Sequence, residues 1–231
     1  FDLCFPGEDL LEAVFKAAQK ASIDYLDNII FCATHTHTAP YPSSFFGDPP
    51  DKDYLENTAE QTVDAILRAE KSLAETEMFT GKAFCDTLAF NRRYWMKNGK
   101  VVTNPGKLNA DIVKPEGPVD YDIPMAVLKQ NGVITAILAN IVNHSDTIGG
   151  ETVSADWPGR MEREIQNALG YDVPVMTLLG CSGNINHFDI NWADPQTSYE
   201  EAKRIGKGYA EVLVKALPSL QQVNISEFRL D

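Results

Sequence analysis

Positive charge is scarce in this sequence and histidine scarcer still. Lysine and arginine number 20 against 33 acidic residues, and only four histidines occur in 231 residues. The net charge of −13 repels phosphate backbones and anionic head groups, which argues against a nucleic-acid partner. No run approaches 18 apolar residues, so no transmembrane helix is expected. Cys4, Cys32, Cys85 and Cys181 are scattered without a C-x-x-C spacing, which leaves no dense disulfide framework and predicts buried thiols. Internal repeats and low-complexity tracts are missing. So are two common catalytic patterns: the loop Gly180-Cys181-Ser182-Gly183 lacks the G-K-[ST] ending of a phosphate loop, and Ser182 lacks the G-x-S-x-G elbow.

The chain does have a hydrophobic fraction of 44%, enough for a real core in a single domain spanning 1–231. Leu10, Leu11, Val14, Phe15 and Ala18 recur at helical spacing and predict a helix over 7–21. The apolar run 28–34 predicts a buried strand, followed by a proline-rich loop (39–53) and a helix over about 52–73. Residues 78–90 read as a strand leading into Asn91-Arg92-Arg93, and 98–118 as an irregular excursion. Asn131-Gly132 between the apolar runs 123–129 and 133–142 signals a hairpin. A helix starts near Asp156 and stops at Gly170; a strand over 173–179, a helix over about 197–217 and a terminal strand complete the chain. The expected fold is α/β, a layered domain with a mixed β-sheet flanked by helices. Phe1–Phe5 reads as the tail of a strand and VNISEFRLD as another, so the domain is expected to be incomplete at both ends.

All four histidines fall in loops just past predicted strands: His35 and His37 in THTH, His144 in NHSDTIGG, His187 in GCSGNINH. Such loops are where α/β sheets build sites. In extended backbone, residues two apart share a face, so His35 and His37 can converge on one metal ion. Alone, the pair reads equally as one hydrogen-bonded and one solvated histidine. His144 is either a metal ligand oriented through its second nitrogen or a turn-capping residue. Arg92 and Arg93 are adjacent cations in an acidic protein. One of them could stabilise an oxyanion, or both could stack on Tyr94 and Trp95 at the surface.

The ordered set ATHTHTAP, FNRR, NHSDTIGG, SADWPG and LLGCSGNIN resembles the neutral/alkaline (non-lysosomal) ceramidase family, over about Cys4 to Asn186. The resemblance implies a zinc amidase with an α/β catalytic domain that cleaves the N-acyl linkage of a sphingolipid. It implies His35 and His144 as zinc ligands, His37 beside the metal to hydrogen-bond the reacting carbonyl or water, and Arg92 lining the same pocket. Gly183, Asn184, Asn186 and His187 match the family's glycine loop as candidate substrate contacts. Asp146 and Asp156 are candidates for orienting or completing the metal shell. Two departures stand out. Asn186 occupies the position of the family's proposed serine nucleophile, which favours attack by metal-activated water over acyl transfer through serine. The glutamate and tyrosine that complete the family's zinc shell have no convincing counterpart here. The expected function is therefore a zinc-dependent hydrolase of a small-molecule or lipid N-acyl substrate, secreted or periplasmic by resemblance. The alternatives are a different metal-dependent hydrolase of an ester or peptide, or a non-catalytic binding module that keeps the fold.

Overall fold

Asn131 and Gly132 turn the chain back on itself with φ of 51° and 79°, the two positive angles a type I′ turn requires. They join β6 (Asp122–Gln130) to β7 (Val133–Ile141) and make the central hairpin of the protein. A computed structural model describes residues 1–224, apart from the side chain of Phe46. β1 (Glu77–Phe84) pairs antiparallel with β6, and β10 (Gln221–Val223) pairs antiparallel with β1. β8 (Val175–Leu179) lies parallel to β7, giving a five-stranded mixed sheet in the order β10-β1-β6-β7-β8. A parallel pair needs a crossover, and α3 (Asp156–Leu169) supplies it. β7 and β8 therefore end at the same side of the sheet, with their outgoing loops adjacent.

One face of the hairpin is sealed. Ile123, Met125 and Val127 alternate on β6, and Ile137, Ala139 and Ile141 on β7, all nearly inaccessible. Trp157, Met161 and Ile165 face them from α3 at intervals of four; Ala202, Ile205, Tyr209 and Leu213 do so from α4 (Tyr199–Ala216). Gly170, at φ 79°, ends α3 as the sequence predicts. The fold is thus the expected α/β arrangement, a mixed sheet with helices packed on it. α1 (Glu8–Lys20) and α2 (Lys52–Lys71) pair beside it around Leu10, Val14, Leu55 and Ala59, and grip Phe31, Ala33 and Ala39 on the segment that carries His35 and His37. Among the described residues no helix is long and apolar enough to cross a membrane.

Three expectations need correction. Residues 28–34 form no strand: after a 3-10 turn at Leu26–Asn28 the chain is extended but unpaired in any ladder, and Ile30 is 70 % exposed. Asn28 and Ile29 close the turn onto Tyr25 O and Leu26 O (3.0 Å each), and beyond them the segment bonds Phe1, from the Phe1 amine to Cys32 O (2.9 Å) and from Thr34 N–H to Phe1 O (2.9 Å). The stretch 98–118 is not irregular throughout. β3 (Arg93–Met96), β4 (Val101–Thr103) and β5 (Ile112–Pro115) form a small antiparallel sheet, whose short strands are hidden by the Asn, Gly and Pro of their turns. The strand expected over 78–90 stops at Phe84, and Phe90–Asn91 becomes a separate strand, β2, paired with β9 (Ile185–Asn186). Of the terminal strand, Gln221–Val223 is present and 225–231 lie outside the described residues.

α3 and α4 approach each other through Gly206. A Cβ there would lie 2.8 Å from both Met161 N and Trp157 O, backbone atoms that cannot swing aside. Gly206→Ala should therefore destabilise the protein by about 2 kcal/mol, lowering the melting temperature by about 4–8 °C in calorimetry. Gly149→Ala, whose new methyl would meet nothing within 4 Å, should leave it unchanged.

Candidate metal centre

Burial alternates along Thr34–Thr38, and each face has its own partners. Thr36 and Thr38 are buried, their hydroxyls directed at the Ser154 carbonyl (2.6 and 3.4 Å), while Ser154 N–H donates to Thr38 O (2.9 Å). These bonds tie the run to the residues just before α3 and leave His35 and His37 together on the other face, ring centroids 5.0 Å apart. His35 itself has φ 60°, a left-handed backbone.

His144 comes in from the loop after β7. Its ring lies 4.7 Å from that of His35 and 5.4 Å from that of His37, all three edge to face. The Trp157 indole donates to His144 O (2.9 Å), and His37 N–H donates to Ser145 O (3.3 Å). The loop alternates too: His144 and Asp146 face the site, while Asn143, Ser145 and Thr147 are fully buried behind it.

The decisive geometry is between two nitrogens. His35 Nε2 and His144 Nε2 are 3.2 Å apart. His35 Nδ1 lies 2.7 Å from Cys4 O, and His144 Nδ1 lies 3.0 Å from Ser182 O. A carbonyl can only accept, so both Nδ1 atoms carry the proton in the neutral rings, and both Nε2 atoms present bare lone pairs to each other. Two facing lone pairs repel; a cation between them removes the conflict. Two nitrogens each about 2.0–2.1 Å from a tetrahedral zinc would sit about 3.3 Å apart, so this pair fits such an ion closely. The Nδ1 bonds to carbonyls are also the supporting contacts that metal-bound histidines characteristically make.

A second grouping, Cys4, His35 and His37, places three ligand atoms within 4.8 Å of one another, with Cys4 Sγ 3.6 Å from His35 Nδ1. That nitrogen is already committed to Cys4 O, so the Nε2 pair is the better seat for a metal. The thiol contact raises the His35 pKa against the lowering effect of burial. Burial lowers the pKa of His37 and of His144, which favours the neutral ring that a metal binds. All four cysteines are free. Cys85 is buried as expected; Cys181 is exposed.

Arg92 closes the site on the side of the small sheets. β2–β9 pairing joins FNRR to GNIN, Arg92 N–H donates to Asn184 O (2.8 Å), and the guanidinium clamps Gly183 O through Nε (3.1 Å) and Nη2 (2.6 Å). Its remaining nitrogen, Nη1, stands 3.9 Å from Asp146 Oδ2. Arg93 turns away to pair with Glu116, which separates the roles of the two adjacent arginines. Burial alone would raise the Asp146 pKa. The hydrogen bond from His187 and the charges of His187, His144 and His37 outweigh it and hold the carboxyl below its usual range.

The other candidates brace the site from behind. Asn186 and His187 are fully buried. Asn186 bonds Asn104 Oδ1 (3.3 Å) and Phe188 N (3.2 Å); His187 spans Asp146 Oδ1 (3.1 Å) and Gln196 O (2.6 Å). Asp156, also buried and at φ 55°, accepts from Trp157 N (2.6 Å) and Ile148 N (2.9 Å), pinning the His144 loop to the start of α3. Gly183 and Asn184 take part through their carbonyls. Sequence reasoning missed the Cys4 and Ser182 carbonyls and Gln196. Backbone acceptors leave no residue-type signature, and Gln196 looks like any polar loop residue.

No family model matches the sequence, and no curated protein sequence does. Two solved structures match its fold. One is neutral ceramidase from Pseudomonas aeruginosa, with a TM-score of 0.68 at 17% identity over 93% of this chain and 36% of that one. The other is a ceramidase complexed with C2, with a TM-score of 0.66 at 17% identity over 93% and 35%. The chain thus has a ceramidase-like fold and spans about a third of the length of these solved proteins.

Asp146 supplies a pH signature. With its folded pKa below the ordinary value of about 4, it contributes stability that is present above that value and lost as pH falls through the folded one. Asp146→Asn should cost about 2–3 kcal/mol at pH 7, since it removes the charged partner of a fully buried histidine. In calorimetry across pH, the gap to the parent protein should narrow below about pH 4.

Proposed function

We propose that this chain carries the metal-binding part of a zinc-dependent amide hydrolase that cleaves an N-acyl linkage, as neutral ceramidases do. The observation that supports it above all is the pair of Nε2 atoms of His35 and His144, 3.2 Å apart and each with a carbonyl against its ring's Nδ1. The ceramidase-like fold and the order of the sequence motifs point the same way.

Bound there, zinc would supply Lewis acidity, polarising an acyl oxygen and acidifying water. The chain's own groups do the rest. His37, favoured as the neutral ring, hydrogen-bonds the reacting carbonyl or water, takes a proton from the water and passes it to the leaving nitrogen. Arg92, with its guanidinium fixed by Gly183 O and facing Asp146, stabilises the charge that develops on the acyl oxygen. Asn186 is buried and carries no hydroxyl, so the position equivalent to the family's serine offers no nucleophile. His187 and Asp146 hold Arg92 in place, and Asp156 holds the loop bearing His144. Two histidines fall short of the three protein ligands a catalytic zinc usually takes, so affinity is expected to be lower than in a complete shell. A lipid or other N-acyl substrate and a secreted or periplasmic setting belong to this reading.

Zinc titration with a metal assay should find one ion per chain, lost in His35→Ala and in His144→Ala. His37→Ala should keep most of the zinc while lowering hydrolysis of N-acyl amides by about 10²–10⁴-fold. A folded sample that takes up no zinc on incubation would sink the proposal.

A further inference from the structure

The central sheet has a second face. α3 and α4 seal the side carrying Val127, Ile137 and Ile141, while the side chains between them point the other way. Strand register lines these up in two rows. Thr80, Ala126, Leu138 and Met176 run across β1, β6, β7 and β8, and Met78, Leu128 and Ala136 run beside them. All seven are left partly exposed, Met176 at 49 %. A solvated sheet face normally carries the polar half of the alternation, yet Thr80 is the one polar side chain here. A contiguous apolar face of this kind marks a surface that another surface covers. It is also uncharged: at its rim Lys82 bonds Asp122 (2.5 Å), so the two charges cancel in a chain of net charge −13. An anionic membrane or a basic protein would find no counter-charge there.

We infer that the face pairs with the same face of a second copy of this chain. Large and small side chains form a checkerboard, with Ala126 beside Leu138 and Leu128 beside Ala136. A two-fold axis running along the strands, midway between β6 and β7, exchanges β6 with β7 and β1 with β8. It sets Leu138 of each copy over Ala126 of the other, Leu128 over Ala136, and Met176 over Thr80. Every large side chain then meets a small one, which is the self-complementarity that a symmetric dimer requires. The strands of the two sheets stay aligned, as in sheet-on-sheet packing generally. Four strands at about 4.8 Å spacing and about 25 Å of length give a plan of about 500 Å², and side-chain relief brings the accessible area near the roughly 600 Å² per partner of the smaller specific interfaces. A dissociation constant on the order of 10 μM is expected for so small a contact. The inference is independent of the hydrolase reading.

Sedimentation of the full chain from about 1 to 100 μM should show a monomer–dimer equilibrium. Leu138→Ala should weaken the dimer at least tenfold, since the symmetric interface loses the side chain twice. Ala126→Leu alone should weaken it too, by setting leucine against leucine. The double variant Ala126→Leu with Leu138→Ala again places large over small about the same axis, and should return to within about threefold of the parent. Circular dichroism checks that each variant is folded. Methyl NMR needs no variant: the Leu138 and Met176 signals should shift with the dimer fraction across the same concentrations. A chain that stays monomeric at about 100 μM overturns the inference. So does a dimer that the single variants leave unchanged, a double variant no stronger than Leu138→Ala, or methyl signals that do not move.

Discussion

Two neutral imidazoles that each donate a hydrogen bond from Nδ1 to a backbone carbonyl are forced to point lone pairs at one another, and most of the structure serves to keep them there. The Cys4 carbonyl is brought to His35 by the bonds between Phe1 and the 32–34 segment, which α1 and α2 in turn hold against their own small core. The Ser182 carbonyl is brought to His144 because β7 and β8 run parallel and end side by side. Remove either support and the rings are free to turn, and the cost of facing lone pairs would turn them. The arrangement is thus held by backbone geometry more than by side-chain contacts.

Charge is organised around the same point. In a chain with a surplus of 13 negative charges, the site places a half-buried carboxylate, Asp146, between His187 and the Arg92 guanidinium. Each member restrains the next: Gln196 O holds His187, His187 holds Asp146, and Gly183 O with Asp146 leaves Arg92 little freedom. A guanidinium so fixed need not reorganise when charge develops near it, which is the condition under which such groups lower a barrier most.

The hairpin at Asn131-Gly132, the four helices and the end of α3 at Gly170 were legible because each is set by local chemistry: a turn that demands positive φ, a 3.6-residue stripe, a left-handed cap. The convergence of the H-x-H pair was expected from extended alternation, and the two rings do meet although His35 leaves that conformation at φ 60°. Residues 28–34 misled because apolar content resembles a buried strand whether or not a partner strand runs beside it. Asn186 and His187 were legible as members of a site loop but not as buried braces, since their partners are Asn104, 82 residues away, and the Gln196 carbonyl, a backbone acceptor with no residue-type signature. Between Arg92 and Arg93 nothing in the sequence could choose; Glu116, folded against Arg93 by the β3–β5 pairing, does.

The left-handed backbone of His35 has a thermodynamic side. Such a conformation costs a residue with a side chain about 1 kcal/mol or more, which glycine would avoid. Replacing His35 by glycine would relieve the strain and remove the imidazole in one step, so at residue 35 the stability of the fold and the presence of the ring pull in opposite directions.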